Sequence, residues 1–228
     1  SDGRGGSPTD FIPPDDVRGF RAPASASAAR PPAGSRPGSG RHGPLGASSP
    51  ARPRADPLSD SLSPTDIVRR KTELRATVLA RRAALSPAGR AAAAKALVDQ
   101  IPDLALPETS CLVSGFWPIR DEIDVRPLMA AVAGRGHRLA SPVIGPNRHL
   151  SFREWTDGAP LVPAGFGTSE PGPDCPVCDP AVLLVPLVAF DRQGARLGYG
   201  KGHYDGAIRR LADLGPVRTI GVAFATQE

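Results

Sequence analysis

Apolar positions fall into short runs and periodic faces from residue 65 onward, and show no such order before it. Ser63-Pro64-Thr65-Asp66 has the form of a helix start. It offers a serine hydroxyl to accept a backbone N–H, a proline where a missing N–H costs nothing, and an acid three residues after the cap. The helix predicted from here runs to about Ala84, with Ile67, Leu74, Val78 and Leu85 near one face. Ser86-Pro87 repeats the signal and opens a second, alanine-rich helix to about Gln100. Cys111–Trp117 is a short apolar run and reads as a strand. Asp124 is placed to cap a helix through Ala133, ended by Gly134 and Gly136. Arg138–Ile144 and Leu150–Trp155 read as strands. Val182–Phe190 is the most apolar run and reads as a central strand buried on both faces, with Pro186 inside it as a difficulty, because proline removes a ladder donor. Tyr204–Leu214 reads as a helix stopped by Gly215-Pro216, and Thr219–Ala225 as a last strand. Strands alternating with helices predict an α/β fold of three layers, a mostly parallel sheet with helices on both faces. Ligands of such sheets sit beyond the C-terminal ends of the strands.

Composition divides the chain. Residues 1–64 hold 12 of the 27 prolines and 9 of the 25 glycines. A stretch so rich in these residues cannot bury enough apolar surface to offset its chain entropy. The expectation is a disordered tail over 1–64 and one domain over 65–228. The formal net charge is +5, and eight of the arginines lie in the tail. This mild excess suits an enzyme of anionic small molecules at least as well as a nucleic-acid binder. The N-terminal residues lack an apolar signal core, and Asp2, Asp10, Asp15 and Asp16 count against a transit peptide. No apolar run is long enough to span a bilayer. Three cysteines suit a reducing compartment, so a cytoplasmic location is expected. Cys175-Pro-Val-Cys178 is a lone C-x-x-C without the second pair a structural zinc needs, and it reads as part of a proline-rich loop.

The chemistry concentrates in Arg196-Leu197-Gly198-Tyr199-Gly200-Lys201-Gly202-His203-Tyr204-Asp205, between the core strand and a helix. Alternating glycines let successive backbone N–H groups turn toward one point. The helix start adds its own donors and dipole, and Arg196 and Lys201 add full charge. Together these describe a phosphate cradle, with Asp205 at its rim able to hold Mg²⁺ against phosphate oxygens. The spacing matches neither a Walker A loop, since Ala195 stands where its first glycine would be, nor a dinucleotide fingerprint.

This phrase, with Val185–Asp191 before it, resembles the signature of the 5-formyltetrahydrofolate cyclo-ligase family. The resemblance extends over Lys71-x-x-Leu74-Arg75, Phe116-Trp117-Pro118-Ile119, Glu122-Ile123-Asp124, Phe152-Arg153-x-Trp155, Phe166-Gly167 and Gly221-Val222-Ala223. It implies a Rossmann-like layout similar to sugar-phosphate isomerases and CoA-transferases. The activity it implies is ATP- and Mg²⁺-dependent cyclisation of 5-formyltetrahydrofolate to 5,10-methenyltetrahydrofolate. Lys71 and Arg75 match the family's N-terminal nucleotide-binding pair, and Arg196 through Tyr204 its nucleotide loop. Asp205 matches a magnesium ligand. Tyr199 to His203 match the part that also borders the folate, and Glu122 the glutamate that contacts it. Trp117 is placed either to stack on a flat ring or to pack in the core. Lys201 is expected to follow the phosphoryl group in transit, assisted by Arg196. His203 stands where a tyrosine is common, and Gly206 where an arginine is common. The expected partner is a small-molecule folate, with or without a polyglutamate tail, bound by a monomer without nucleic acid or membrane. The family continues past the sequence's Glu228 with a Pro-Glu-x-His-Asp-like stretch, so the expectation is a C-terminal truncation that leaves a sheet edge or an apolar face uncovered. The alternatives are another phosphate-handling α/β enzyme of the isomerase or CoA-transferase type, and a nucleic-acid binder acting through its basic tail.

Overall fold

The computed structural model describes residues 17–21, 63–146 and 149–228. Helix α1 (Pro64–Ala83) begins at the predicted cap, where Ser63 Oγ accepts the Asp66 N–H at 3.1 Å. Helix α2 (Pro87–Asp99) begins in the same way, with the Gly89 N–H donating to Ser86 Oγ at 3.1 Å. Helix α3 (Arg126–Ala133) starts later than Asp124 suggests. The Asp124 carboxylate accepts the Arg126 N–H at 3.0 Å, but the residue at the boundary is Val125, which has no side-chain cap. Helix α4 spans His203–Leu214 and ends at Gly215.

The strands in chain order are β1 (Val17–Arg21), β2 (Leu112–Ser114), β3 (Arg138–Ile144), β4 (Leu150–Trp155), β5 (Leu161–Pro163), β6 (Ser169–Pro171), β7 (Val177–Cys178), β8 (Val182–Pro186), β9 (Ala189–Phe190), β10 (Arg196–Leu197) and β11 (Arg218–Phe224). Seven of them form one sheet in the order β1-β11-β8-β2-β3-β4-β7, and β5–β6 and β9–β10 form two hairpins. The four central strands, β11, β8, β2 and β3, run parallel. Strands β1, β4 and β7 are antiparallel to their neighbours. The centre of the sheet is therefore parallel, as the sequence predicts, and its flanking strands are antiparallel. The segment joining β3 to β4 is too short for the crossover that a parallel neighbour needs, so it can only fold back.

The run Val182–Phe190 is not one strand. It breaks after Pro186, and β9 resumes as half of a separate hairpin. Strand β2 pairs with β8 only at Val182 and Leu183, so Pro186 lies beyond that ladder and its missing N–H interrupts nothing there. Buried Gln227 bridges the break, its Nε2 donating to the carbonyls of Leu187 and Val188, both at 2.9 Å. The run at Cys111–Trp117 contributes only Leu112–Ser114 to the sheet. At Gly115 the chain passes so close to α3 that a Cβ would lie 2.7 Å from Met129 Sδ, so a larger residue there would require the Met129 side chain to shift.

Alternate residues of β8 divide between two cores. Val182 and Leu184 pack with Ala93 and Leu97 of α2 and Leu128, Met129 and Val132 of α3. Leu183 and Val185 pack with Phe152 and with Ala207 and Leu211 of α4. Helices thus cover both faces, as the two-sided apolar run requires. On α1 only Val78 of the predicted apolar face is buried; Ile67 and Leu74 are exposed. That helix lies across the end of the sheet, where Val78 meets Val188 and Ala189.

The expectation of no strand before Ser63 is corrected at one place. Val17–Arg21 pairs with β11 over five residues, from Val17 opposite Phe224 to Arg21 opposite Ile220. This five-residue segment contains no proline, although the stretch around it is rich in it. The outer edge of a long apolar strand presents unpaired N–H and C=O groups that such a segment can satisfy. This edge of β11 is therefore paired. The rest of the predicted tail lies outside the described residues. No helix among the described residues is long and apolar enough to cross a membrane.

Phe152 has no exposed surface and lies between the sheet and α4. Phe152→Ala is expected to lower stability by about 3–5 kcal/mol through lost contacts and the cavity left behind, read as a shift in the urea unfolding midpoint.

Candidate functional site

The break after Pro186 and the early end of β2 leave a cleft of about 690 Å³ beyond the C-terminal ends of the parallel strands. Helix α1 supplies Lys71 and Arg75 to its wall. The segment after β2 supplies Phe116, Trp117, Ile119, Arg120 and Glu122, and the start of α4 supplies His203, Tyr204 and Asp205. Between them runs Arg196 to Gly202, and the apolar side is closed by Pro142, Ile144, Leu150 and Pro186. Every residue the sequence singled out for nucleotide, substrate or metal lines this one cleft: Lys71, Arg75, Trp117, Glu122, and Arg196 through Asp205.

The glycine loop is held from three directions. At its root, Asp191 Oδ1 accepts the N–H groups of Gln193 and Ala195 at 3.0 and 2.9 Å, fixing the tight turn between β9 and β10. The Val188 N–H donates to the Leu197 carbonyl at 2.7 Å. From α1, Arg75 Nε donates to the Gly198 carbonyl at 2.9 Å. The loop then wraps over that guanidinium at Gly200, where φ is 92° and a Cβ would lie 3.3 Å from Arg75 Nη2. Gly202, at φ 72°, opens α4, whose first turn has no side-chain cap. The positive end of the α4 dipole therefore lies at the cleft, beside exposed Lys201.

The cleft carries five cations, Lys71, Arg75, Arg120, Arg196 and Lys201, against three carboxylates, Glu122, Glu170 and Asp205. Arg196 is ion-paired with Asp205, whose side chain is mostly exposed. Trp117 faces the cleft and also lies under the Arg126 guanidinium, 4.9 Å from its ring centroid, so it is not a plain core residue.

Arg82, beside Arg81 on α1, is not a solvated charge. Its side chain is 1% exposed. Its Nη2 donates to Asp121 Oδ1 and to the Tyr199 hydroxyl, both at 2.8 Å. The Tyr199 hydroxyl donates to Glu122 Oε1 at 2.9 Å, and the Ile119 N–H donates to Glu122 Oε2 at 3.0 Å. Burial works to raise the Asp121 carboxyl, but the Arg82 hydrogen bond and charge outweigh it and hold it below its ordinary value. Burial raises the Glu122 carboxyl in spite of its two donors. Burial, and then the neighbouring Glu122 charge, push the Tyr199 hydroxyl up to about 12, so it stays protonated and able to donate. The signal for Arg82 was its spacing: seven residues after Arg75 and four after Val78, it lies on the same helix face. Arg120, also missed, stands in the left-handed region at φ 55° on the cleft wall.

Cys175 and Cys178 lie away from the cleft, and all three cysteines are free. Burial pushes the Cys178 thiol up to about 11, which does not suit a reactive thiolate.

A parallel α/β core with a cation-rich cleft at the carboxyl ends of its strands defines the class of protein. The sequence then fixes the family. Residues 67–228 match the model of the 5-formyltetrahydrofolate cyclo-ligase family, and the chain belongs to it. A 5-formyltetrahydrofolate cyclo-ligase of Mycolicibacterium smegmatis is 31% identical over 161 residues, which are 67% of this chain and 81% of that protein. That of Escherichia coli K12 is 34% identical over 119 residues, 50% of this chain and 64% of that one, so the aligned region spans under two thirds of its length. The NMR structure of Aquifex aeolicus 5,10-methenyltetrahydrofolate synthetase superposes with a TM-score of 0.55 at 34% identity, covering 69% of this chain and 79% of that one.

Asp121→Ala is expected to cost about 3 kcal/mol, because it leaves the buried Arg82 charge short of an acceptor. The Asp121 carboxyl is held low in the fold, so the stability it contributes is present above its ordinary titration range and lost as pH falls through the lowered value. Denaturant unfolding followed against pH should therefore show a shallower acid limb in the variant.

Proposed function

We propose that the chain catalyses the ATP- and Mg²⁺-dependent cyclisation of 5-formyltetrahydrofolate to 5,10-methenyltetrahydrofolate, with release of ADP and phosphate. The observation that carries this reading is the sharing of one cleft by the Gly198–Gly202 loop, the Lys71 and Arg75 side chains and the Glu122 carboxylate. Isomerisation of a sugar phosphate or CoA transfer requires no such combination.

A formamide oxygen is a poor leaving group. Transfer of the γ-phosphoryl group to it forms an O–P bond and breaks the bond to ADP. N10 of the folate then attacks the formyl carbon, the C–O bond breaks with departure of phosphate, and the N10 proton is lost to give the amidinium of the product. The chain's contribution is alignment and charge. The loop N–H groups and the uncapped start of α4 are suited to seat the phosphates, with Lys71 and Arg75 clamping from α1. Lys201 follows the transferred group, and Arg196 supports it. Glu122 accepts paired N–H donors from the amino-pyrimidine edge of the pterin, and Trp117 offers a ring face beside it.

Among the described residues no three His, Cys, Asp or Glu side chains cluster as a metal cage. Mg²⁺ at nucleotide sites takes one or two carboxylates completed by phosphate oxygens and water, and exposed Asp205 at the end of the loop fits that donor set. The ion would lower the negative charge on the phosphates.

The test is absorbance-monitored formation of methenyl-folate, with and without ATP and Mg²⁺. Lys201→Ala is expected to lower kcat by roughly 100- to 1,000-fold while leaving the thermal midpoint unchanged. Absence of the methenyl product overturns the reaction, and unchanged turnover in the variant overturns the role of Lys201.

A further inference from the structure

The Arg82–Tyr199–Glu122 chain has a direction built into it. Arginine has only donors and does not lose its proton, so the Tyr199 oxygen must accept from Arg82 Nη2 at 2.8 Å. The hydroxyl hydrogen is then committed to its other neighbour, Glu122 Oε1, at 2.9 Å. Glu122 Oε2 receives the Ile119 N–H. Each carboxylate oxygen keeps a second lone pair, Glu122 lines the cleft, and both oxygens are acceptors only while the group is ionised.

We propose that Arg82, acting through the Tyr199 hydroxyl, is a positioning residue that keeps Glu122 an ionised acceptor aimed into the cleft. This rests on the reading of Glu122 as the carboxylate that meets the folate. A pterin edge presents adjacent N–H donors, and a protonated Glu122 would set a hydrogen against one of them.

The groups facing Glu122 are Arg82 from α1, Asp121 from its own turn, Tyr199 from the glycine loop and Tyr204 from α4. Burial and the Asp121 charge favour the neutral acid, while the Ile119 N–H, the Tyr199 hydroxyl and the Arg82 charge favour the anion. Tyr199 is the member that can be removed with least disturbance, because phenylalanine keeps the ring that the guanidinium overlies 5.9 Å from its centroid. The same helix face also grips the loop through Arg75 and Gly198, so one element fixes both the phosphate seat and the state of the carboxylate.

The test is the titration of Glu122 by carboxyl ¹³C NMR in the full chain, the resonance being assigned with Glu122→Gln. Removing a donor to the anion raises its pKa, so Tyr199→Phe should move the midpoint up by roughly one pH unit. The acid limb of kcat/KM for 5-formyltetrahydrofolate should move up with it, since binding is lost as pH falls through that midpoint. Arg82→Lys, which keeps the charge but not the planar fork, should shift the midpoint in the same direction. An unmoved midpoint in folded Tyr199→Phe overturns the proposal. The titration needs no substrate. A shifted midpoint in a protein that makes no methenyl product retains the relay and refutes the reaction. Product formation with an unmoved midpoint retains the reaction and refutes the relay.

Discussion

A guanidinium removed from water seeks acceptors, and Arg82 Nη2 finds two by drawing together parts of the chain far apart in sequence. Asp121 comes from the turn after β2 and Tyr199 from the glycine loop, separated from Arg82 by 39 and 117 residues. An unpaired charge at that depth would cost several kcal/mol, so these segments cannot drift independently. The cleft wall is in this sense a by-product of pairing one buried cation. Glu122 belongs to the same arrangement because it accepts the hydrogen bond of the Tyr199 hydroxyl, whose oxygen the arginine occupies.

The sheet decides where this happens. Strand β8 is apolar and buried on both faces over four consecutive positions. Its termination at Pro186, past the point where β2 has already left the ladder, creates the space at the carboxyl end. The buried Gln227 amide then satisfies the carbonyls of Leu187 and Val188, which the break would otherwise leave without partners.

Much of this was legible in the sequence because it is encoded locally. The two Ser-Pro caps, strands β3 and β4, and the glycine loop each depend on residues a few positions apart, and each is found where the sequence places it. The grouping of Lys71, Glu122 and the loop was legible only through resemblance to a family, since nothing local links positions so distant. The burial of Arg82 was not legible because it depends on Asp121 and Tyr199 arriving from elsewhere, and an arginine beside Arg81 looks like solvated charge. Strand β1 was missed because a five-residue edge strand gains its stability from its partner's backbone, and the composition around it points the other way. The β5–β6 hairpin was missed because its strands are three residues long and each ends in proline, which leaves too short a pattern to show a period.

The Asp191 turn, with its carboxylate holding two backbone N–H groups, has a consequence for how a ligand is received. A glycine-rich segment left to itself would sample many shapes, and an incoming anion would have to select one and freeze the others out. Here the turn, the Arg75 clasp and the Tyr199 anchor have already narrowed that choice during folding. The entropic penalty of ordering is thus incurred once for each molecule made, rather than at each encounter with a ligand.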